Sequence, residues 1–191
     1  YYPISETPSP PLGLACLAAV LESAGHQVKI LDLVVHPFDE DEFESLMDTF
    51  RPAVVGATAV TMTFDKAMEV LREVKNIDPQ IVTVMGGPHV TFCARHTLSR
   101  YSALDVVVAG EGEQTIVELV ESIAQGRPLS DIRGLVYRDK GGRICETEPR
   151  PLLADLDALP LPARHLVPLG RYRALGMPIS MTTSRGCPFH C

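Results

Sequence analysis

Cys187 and Cys191 stand in the stretch "TTSRGCPFHC", with three residues between them. Thiolates this close can bind one metal centre, and clustered cysteines are an iron–sulfur signature. Two thiolates do not complete such a centre, so the pair is either half of a site whose other ligands lie past Cys191 or an incidental pair of cysteines. The other cysteines, Cys16, Cys93 and Cys145, are scattered and read as packing residues. A disulfide framework is not expected, and a reducing cytoplasmic setting fits this usage better.

A second set of chemistry-bearing residues follows a different logic. Small and hydroxylic residues recur just after apolar β-rich runs: Thr58, Val60, Thr61 and Thr63, then Gly86, Gly87, Pro88 and His89, then Gly110, Glu111, Gly112 and Glu113. In an open α/β sheet, ligands bind outside the carboxyl ends of the strands. Glycines there admit a flat or bulky ligand close to the backbone, and helix starts offer N–H groups. The G-x-G-x-x-G and P-loop patterns are both absent, which disfavours dinucleotides and nucleoside triphosphates. His89 reads as a residue that caps its turn or lines the pocket, since no carboxylate stands beside it in sequence to orient its ring as a metal ligand.

Stepping from these residues to the elements that hold them, the first 125 residues alternate between helical and strand periods. Helices are expected at 11–25, 39–50, 64–77, 92–101 and 113–126. The first should bury Leu14, Leu17, Ala18 and Leu21. Strands are expected at 27–33, 53–58, 80–86 and 105–109. Such alternation gives an α/β fold with a doubly wound parallel sheet. "DKGG" centres a β-hairpin within 132–149, expected to pack outside that sheet. A Pro-rich linker follows, and "ISMTTS" at 179–184 reads as the first strand of a new domain. The expected division is therefore 1–148, 149–177 and 178–191. The chain opens on a Pro-rich loop, so a central strand is expected upstream of Tyr1, and the chain is expected to be a fragment.

Composition narrows the function classes. With 46 % apolar and 21 % charged residues, the chain can bury an ordinary globular core. A net charge of −7 argues against general nucleic-acid binding, which rests on a basic face. The apolar runs fall short of the ~20 residues that span a bilayer, and no secretory leader pattern stands at the start.

The segments "PPLGLACLAAVLESAGHQVKILDL", "PAVVGATAVTMTFDKAMEVLREVK", "VMGGPHVTF", "DVVVAGEGEQTIVEL", "IRGLVYR", "DLDALPLPARHL" and "TTSRGCPFHC" occur in the order seen in cobalamin-dependent radical SAM enzymes, which this chain resembles from about residue 8 onward. The resemblance implies a flavodoxin-like cobalamin-binding domain followed by the first strand of a radical SAM barrel. It implies that Cys187 and Cys191 are the first two ligands of a 4Fe-4S cluster, and that S-adenosylmethionine is a further cofactor. It matches Thr58 and Val60 to a Ser-x-Leu pair, and Gly86 and Gly87 to a Gly-Gly turn, beside the cofactor's nucleotide tail. The cobalamin-contacting set then comprises Gly13, Thr58, Val60, Thr61, Gly86, Gly87, Pro88, His89, Gly110, Glu111 and Gly112.

The D-x-H-x-x-G motif that supplies a histidine to cobalt elsewhere is absent, so a base-off cofactor without a histidine ligand is implied. The implied activity is methyl transfer to an unactivated carbon through methylcobalamin and a 5′-deoxyadenosyl radical. Ring closure, rearrangement or a non-catalytic cobalamin-sensing module are the alternatives. The substrate would be read outside these residues. A bulky side chain at Gly86 or Gly87 is expected to block uptake and leave the fold intact.

Overall fold

The computed structural model describes residues 9–186. By contacts the chain divides into two compact units. One runs from Asp39 to Leu153; the other is formed by the chain on either side of it.

The first unit opens with α2 (Glu40–Phe50), after α1 of the other unit. Asp39 caps it by accepting the Glu42 N–H at 2.9 Å, and Glu40, Asp41 and Glu42 fill a first turn where the helix dipole favours acids. Phe43 and Met47 turn inward onto Val74 and Ile81. β1 (Val54–Thr58), α3 (Phe64–Ile77), β2 (Val82–Gly86), α4 (Pro88–Arg100) and β3 (Val106–Val108) follow in strict alternation. Then come α5 (Glu113–Gln125), β4 (Leu135–Arg138) and β5 (Ile144–Glu146).

The five strands form one sheet in the order β1-β2-β3-β4-β5. β1, β2 and β3 are parallel, and β4 and β5 run antiparallel beside β3. The expected class, a flavodoxin-like α/β fold, is the one found. α3 buries Phe64, Met68, Leu71 and Val74, one per helical turn. Phe64, Met68 and Leu71 meet Val90, Ala94 and Leu98 of α4, and Met85, Val107 and Val136 of the sheet, in one core, while Val74 packs with Phe43, Met47 and Ile81. On the opposite side of the pleat Val84 and Val106 are also buried, so both faces of the central strands are dry. Each fully buried aliphatic side chain here stabilises by roughly 1.5–3 kcal/mol.

The hairpin departs from expectation. It does not pack outside the sheet but continues it, with Val107 opposite Val136 and Tyr137 opposite Cys145. Its turn is knotted by Asp139, whose Oδ1 accepts the N–H groups of Gly141 and Arg143 at 2.8 and 2.9 Å. Hydrogen bonding from the Arg143 backbone, foremost, holds the Asp139 carboxyl below the usual aspartate range. α4 also begins earlier than expected, because Pro88 suits the first helical position, where its missing N–H costs nothing.

The second unit contains α1 (Leu12–Ser23) and α6 (Leu169–Ala174). The α1 stripe that is fully buried is Ala15, Ala18 and Ala19, while Leu14, Leu17 and Leu21 are half-buried. The alanines permit close approach: the Ala163 N–H reaches the Ala15 carbonyl at 2.9 Å. Tyr172, within the Pro-rich region where no helix was expected, is completely buried against Ala15 and Val167. Its phenol donates to Asp32 at 2.6 Å, and burial first, then that carboxylate, pushes its ionisation above the ordinary tyrosine range.

Residues 27–33 are not a strand. Val28 and Ile30 are half-buried between exposed neighbours, the alternation of a strand, but no ladder partner lies beside them among the described residues. Residues 179–184 likewise form no strand among the described residues. Along 27–33 periodicity reports one-sided burial, whereas a strand also needs a neighbour for its backbone groups; along 179–184 the side chains are almost all exposed.

Candidate functional site

The parallel strands β1, β2 and β3 end at one edge, and their following turns bring together most of the residues singled out by sequence. Thr58 and Gly86 are register partners across β1 and β2. Thr58 is exposed, and a Cβ at Gly86 would meet only the Val108 carbonyl oxygen, at 3.7 Å. A side chain there would therefore enter open space at the edge rather than the core.

Gly87 is different. Its φ is +100°, and a Cβ would lie 2.7 Å from Thr58 Oγ1 and 3.0 Å from the Ala59 carbonyl oxygen. The turn after β2 is pressed against the end of β1, which only glycine permits. The expectation that a large side chain at Gly87 leaves the fold intact is thus overturned. Gly87 shapes the turn first, so a substitution there acts on the fold before it acts on a ligand.

Hydrogen bonds join the three turns. The Ala59 N–H donates to the Gly86 carbonyl at 3.3 Å, and the His89 N–H to the Ala59 carbonyl at 3.3 Å. The His89 ring is half-buried, with Nδ1 3.1 Å from Thr61 Oγ1 and its centroid 4.4 Å from that of Phe64. On the other side, the Gly110 N–H donates to Thr91 Oγ1 at 3.3 Å, and that hydroxyl donates to the Gly87 carbonyl at 3.0 Å. Pro88 is exposed at the start of α4. Glu111 accepts the Leu153 N–H at 2.7 Å, tying the chain after the hairpin to the turn after β3, and Gly112 precedes α5.

Sequence reasoning missed two residues here. Thr91 falls just before the helix expected at 92–101, yet its hydroxyl bridges two turns. Met62 is 71 % exposed beside Val60 at 49 %, an apolar lip on the turn after β1. Gly13 lies exposed in α1 of the other unit. Cys187 and Cys191 lie outside the described residues. Among the described residues no group of three His, Cys, Asp or Glu side chains could hold a metal ion. Cys16, Cys93 and Cys145 are all half-buried; Cys93 donates to the His89 carbonyl at 3.0 Å.

Residues 58–63 and 86–90 carry no formal charge with His89 neutral. These two turns thus offer backbone, threonine hydroxyls and two exposed apolar side chains; of the carboxylates after β3, Glu113 is buried and Glu111 is engaged with the Leu153 N–H. That combination fits a large, flat, uncharged macrocycle fringed with amides, and Gly86 leaves room for a group running along the sheet edge. The residues present fit cobalamin.

The fold and this edge define a flavodoxin-like α/β ligand-binding domain. Residues 5–120 match the B12 binding domain, and the chain belongs to that family. Over 186 residues it is 41 % identical to an uncharacterized methyltransferase, PH0819, of Pyrococcus horikoshii, covering 97 % of this chain and 40 % of that protein. It is 33 % identical to the anaerobic magnesium-protoporphyrin IX monomethyl ester cyclase of Rubrivivax gelatinosus, covering 95 % and 34 %. The chain therefore spans well under half the length of these relatives. The cobalamin-dependent S-adenosylmethionine radical enzyme OxsB, solved with aqua-cobalamin bound, superposes with a TM-score of 0.79 at 21 % identity, over 95 % of this chain and 25 % of that one. This likeness carries the fold, and the resemblance to cobalamin-dependent radical SAM enzymes is borne out. No helix among the described residues is long and apolar enough to cross a membrane.

Proposed function

We propose that this chain is the cobalamin-binding part of a larger cytoplasmic radical SAM enzyme, a methyltransferase acting on an unactivated carbon. The observation that carries the reading is the edge itself: Thr58 and Gly86 side by side, open outward, on a domain of the B12-binding family. Bound cobalamin supplies a cobalt centre able to carry a methyl group. Thr58 and the backbone at Gly86 and Gly110 would line its tail and rim, and Val60 and Met62 would cover apolar surface of the macrocycle. Gly87 and Pro88 set the start of α4, and Glu111 steadies the turn after β3. Cys187 and Cys191 would give the first two thiolates to a 4Fe-4S cluster in the complete enzyme, beside S-adenosylmethionine.

Titration of the purified chain with hydroxocobalamin tests the binding step. Uptake is expected, and Gly86→Leu should weaken it by about a hundredfold, because the added side chain occupies the space the ligand needs. Wild-type protein that takes up no hydroxocobalamin overturns the reading. The similarity to the cyclase supports a second reading, ring closure rather than methylation. Following a labelled methyl group of S-adenosylmethionine through the full-length enzyme separates them: label in product supports methyl transfer, and its absence alongside S-adenosylmethionine cleavage supports the second.

A further inference from the structure

We propose that His89 and Thr91, both on the first turn of α4, are positioning residues that hold the turns after β1 and β3 in register, so that the edge is preshaped for its ligand. The consequence for ligand affinity rests on the cobalamin reading above; the wiring itself does not.

The turn after β1 has little of its own to fix it. Val60, Thr61 and Met62 are exposed, and the core anchors on either side are Ala59, at 2 % exposure, and Phe64. Between them, Thr63 Oγ1 meets the Val60 N–H and carbonyl within the turn, which shapes it without orienting it on the sheet. Orientation comes from His89. Its backbone N–H holds Ala59, its Nδ1 holds Thr61, and its ring rests on Phe64. Because Phe64 is buried, the imidazole has a fixed platform, and its contact to Thr61 is made from one place.

The turn after β3 is held on its far side by Glu111, which accepts the Leu153 N–H, but its first residue is not. Gly110 has φ +79°, no side chain and open space around it. The Thr91 hydroxyl accepts its N–H while donating to the Gly87 carbonyl in its own helix start. One helical turn thus reaches left to β1 and right to β3. Ordering a loop in advance spares the ligand that cost on binding, so removing either link should lower affinity while the core stays packed.

Substitutions separate positioning from bulk structure. Asparagine carries its amide near where imidazole carries Nδ1, so His89→Asn can still meet Thr61, and His89→Ala cannot. Thr91→Ser keeps the hydroxyl, and Thr91→Val keeps the shape without it. In the whole chain, His89→Ala and Thr91→Val should each weaken hydroxocobalamin binding by about fivefold, the scale of one neutral hydrogen bond. His89→Asn and Thr91→Ser should stay within about twofold of wild type. Hydrogen–deuterium exchange without ligand is the independent readout. His89→Ala should speed exchange at residues 59–63 and not at Gly110, and Thr91→Val should do the reverse. Exchange unchanged in both variants overturns the wiring. Faster exchange with unaltered affinity, or an affinity loss that Asn and Ser fail to restore, overturns the positioning role. If wild type takes up no hydroxocobalamin, only the cobalamin reading falls, and the exchange pattern still decides whether α4 holds the two turns.

Discussion

The two ends of the same parallel strands are built differently. At the amino edge, Asp105 Oδ2 accepts the Thr83 N–H at 2.8 Å and meets Lys75 Nζ at 2.6 Å, and Lys75 also donates to the Ile81 carbonyl at 2.7 Å. Thr83 is wholly buried, and its hydroxyl meets both Asp105 and the Ala103 carbonyl. At the carboxyl edge the links among the turns are neutral and 3.0–3.3 Å long, apart from the Glu111 carboxylate that accepts the Leu153 N–H at 2.7 Å, and they are surrounded by glycines and exposed threonines. At the charged end these groups bind one another; the largely neutral end leaves backbone and threonine hydroxyls exposed. A sheet can be locked at one edge and kept receptive at the other because the helices between the strands carry both.

The largest effect should come from Gly87→Leu, where the two roles cannot be separated. Positive φ and a Cβ 2.7 Å from Thr58 Oγ1 should cost about 3 kcal/mol or more in chemical denaturation, and hydroxocobalamin uptake should fall with it. A stable Gly87→Leu protein that merely fails to bind would show that this turn is less tightly pressed than its geometry implies.

Gly86→Leu, one residue earlier, should split the readouts. Uptake should drop by about a hundredfold with stability changed by less than about 1 kcal/mol, since the new side chain meets only the Val108 carbonyl. Equal loss of both would place Gly86 with Gly87 and erase the contrast between them.

Asp105→Ala should give the opposite split. It removes the acceptor of the buried Thr83 N–H and the counter-charge of Lys75, which keeps its carbonyl partners, and should cost about 2 kcal/mol. Uptake at the far edge should hold within about twofold. A large fall in affinity with unaltered stability would mean that the amino edge is not the structural lock described above.

The smallest effect is confined to the hairpin. The folded state depresses the Asp139 carboxyl, so its contribution is complete at neutral pH. That contribution fades as pH drops below the ordinary aspartate range of about 4 and is lost through the lowered value. Protection of the Gly141 and Arg143 amides, measured against their intrinsic exchange at each pH, should fall on that acid limb in wild type, and Asp139→Asn should be less protected at neutral pH and show no such limb. An Asn variant with the wild-type acid profile would assign the profile to another group.

The sequence by itself determined the elements whose signals are local. Asp39 and its acidic neighbours announce α2, the spacing of Phe64, Met68 and Leu71 announces α3, and Gly126 closes α5 in the left-handed conformation. It also determined that small residues gather after each parallel strand, which located the edge before any coordinate did. What needs a partner distant in the chain was decided only in three dimensions. The alternation of Val28 and Ile30 reads the same whether or not a neighbouring strand is there. The hairpin could have packed outside the sheet until β4 met β3. Gly86 and Gly87 are indistinguishable as letters, yet one opens outward and the other touches Thr58, because only the folded turn sets φ and brings β1 within reach. Thr91 carried no signal at all, since a threonine in a helix becomes a bridge only when Gly110 arrives beside it from 19 residues away.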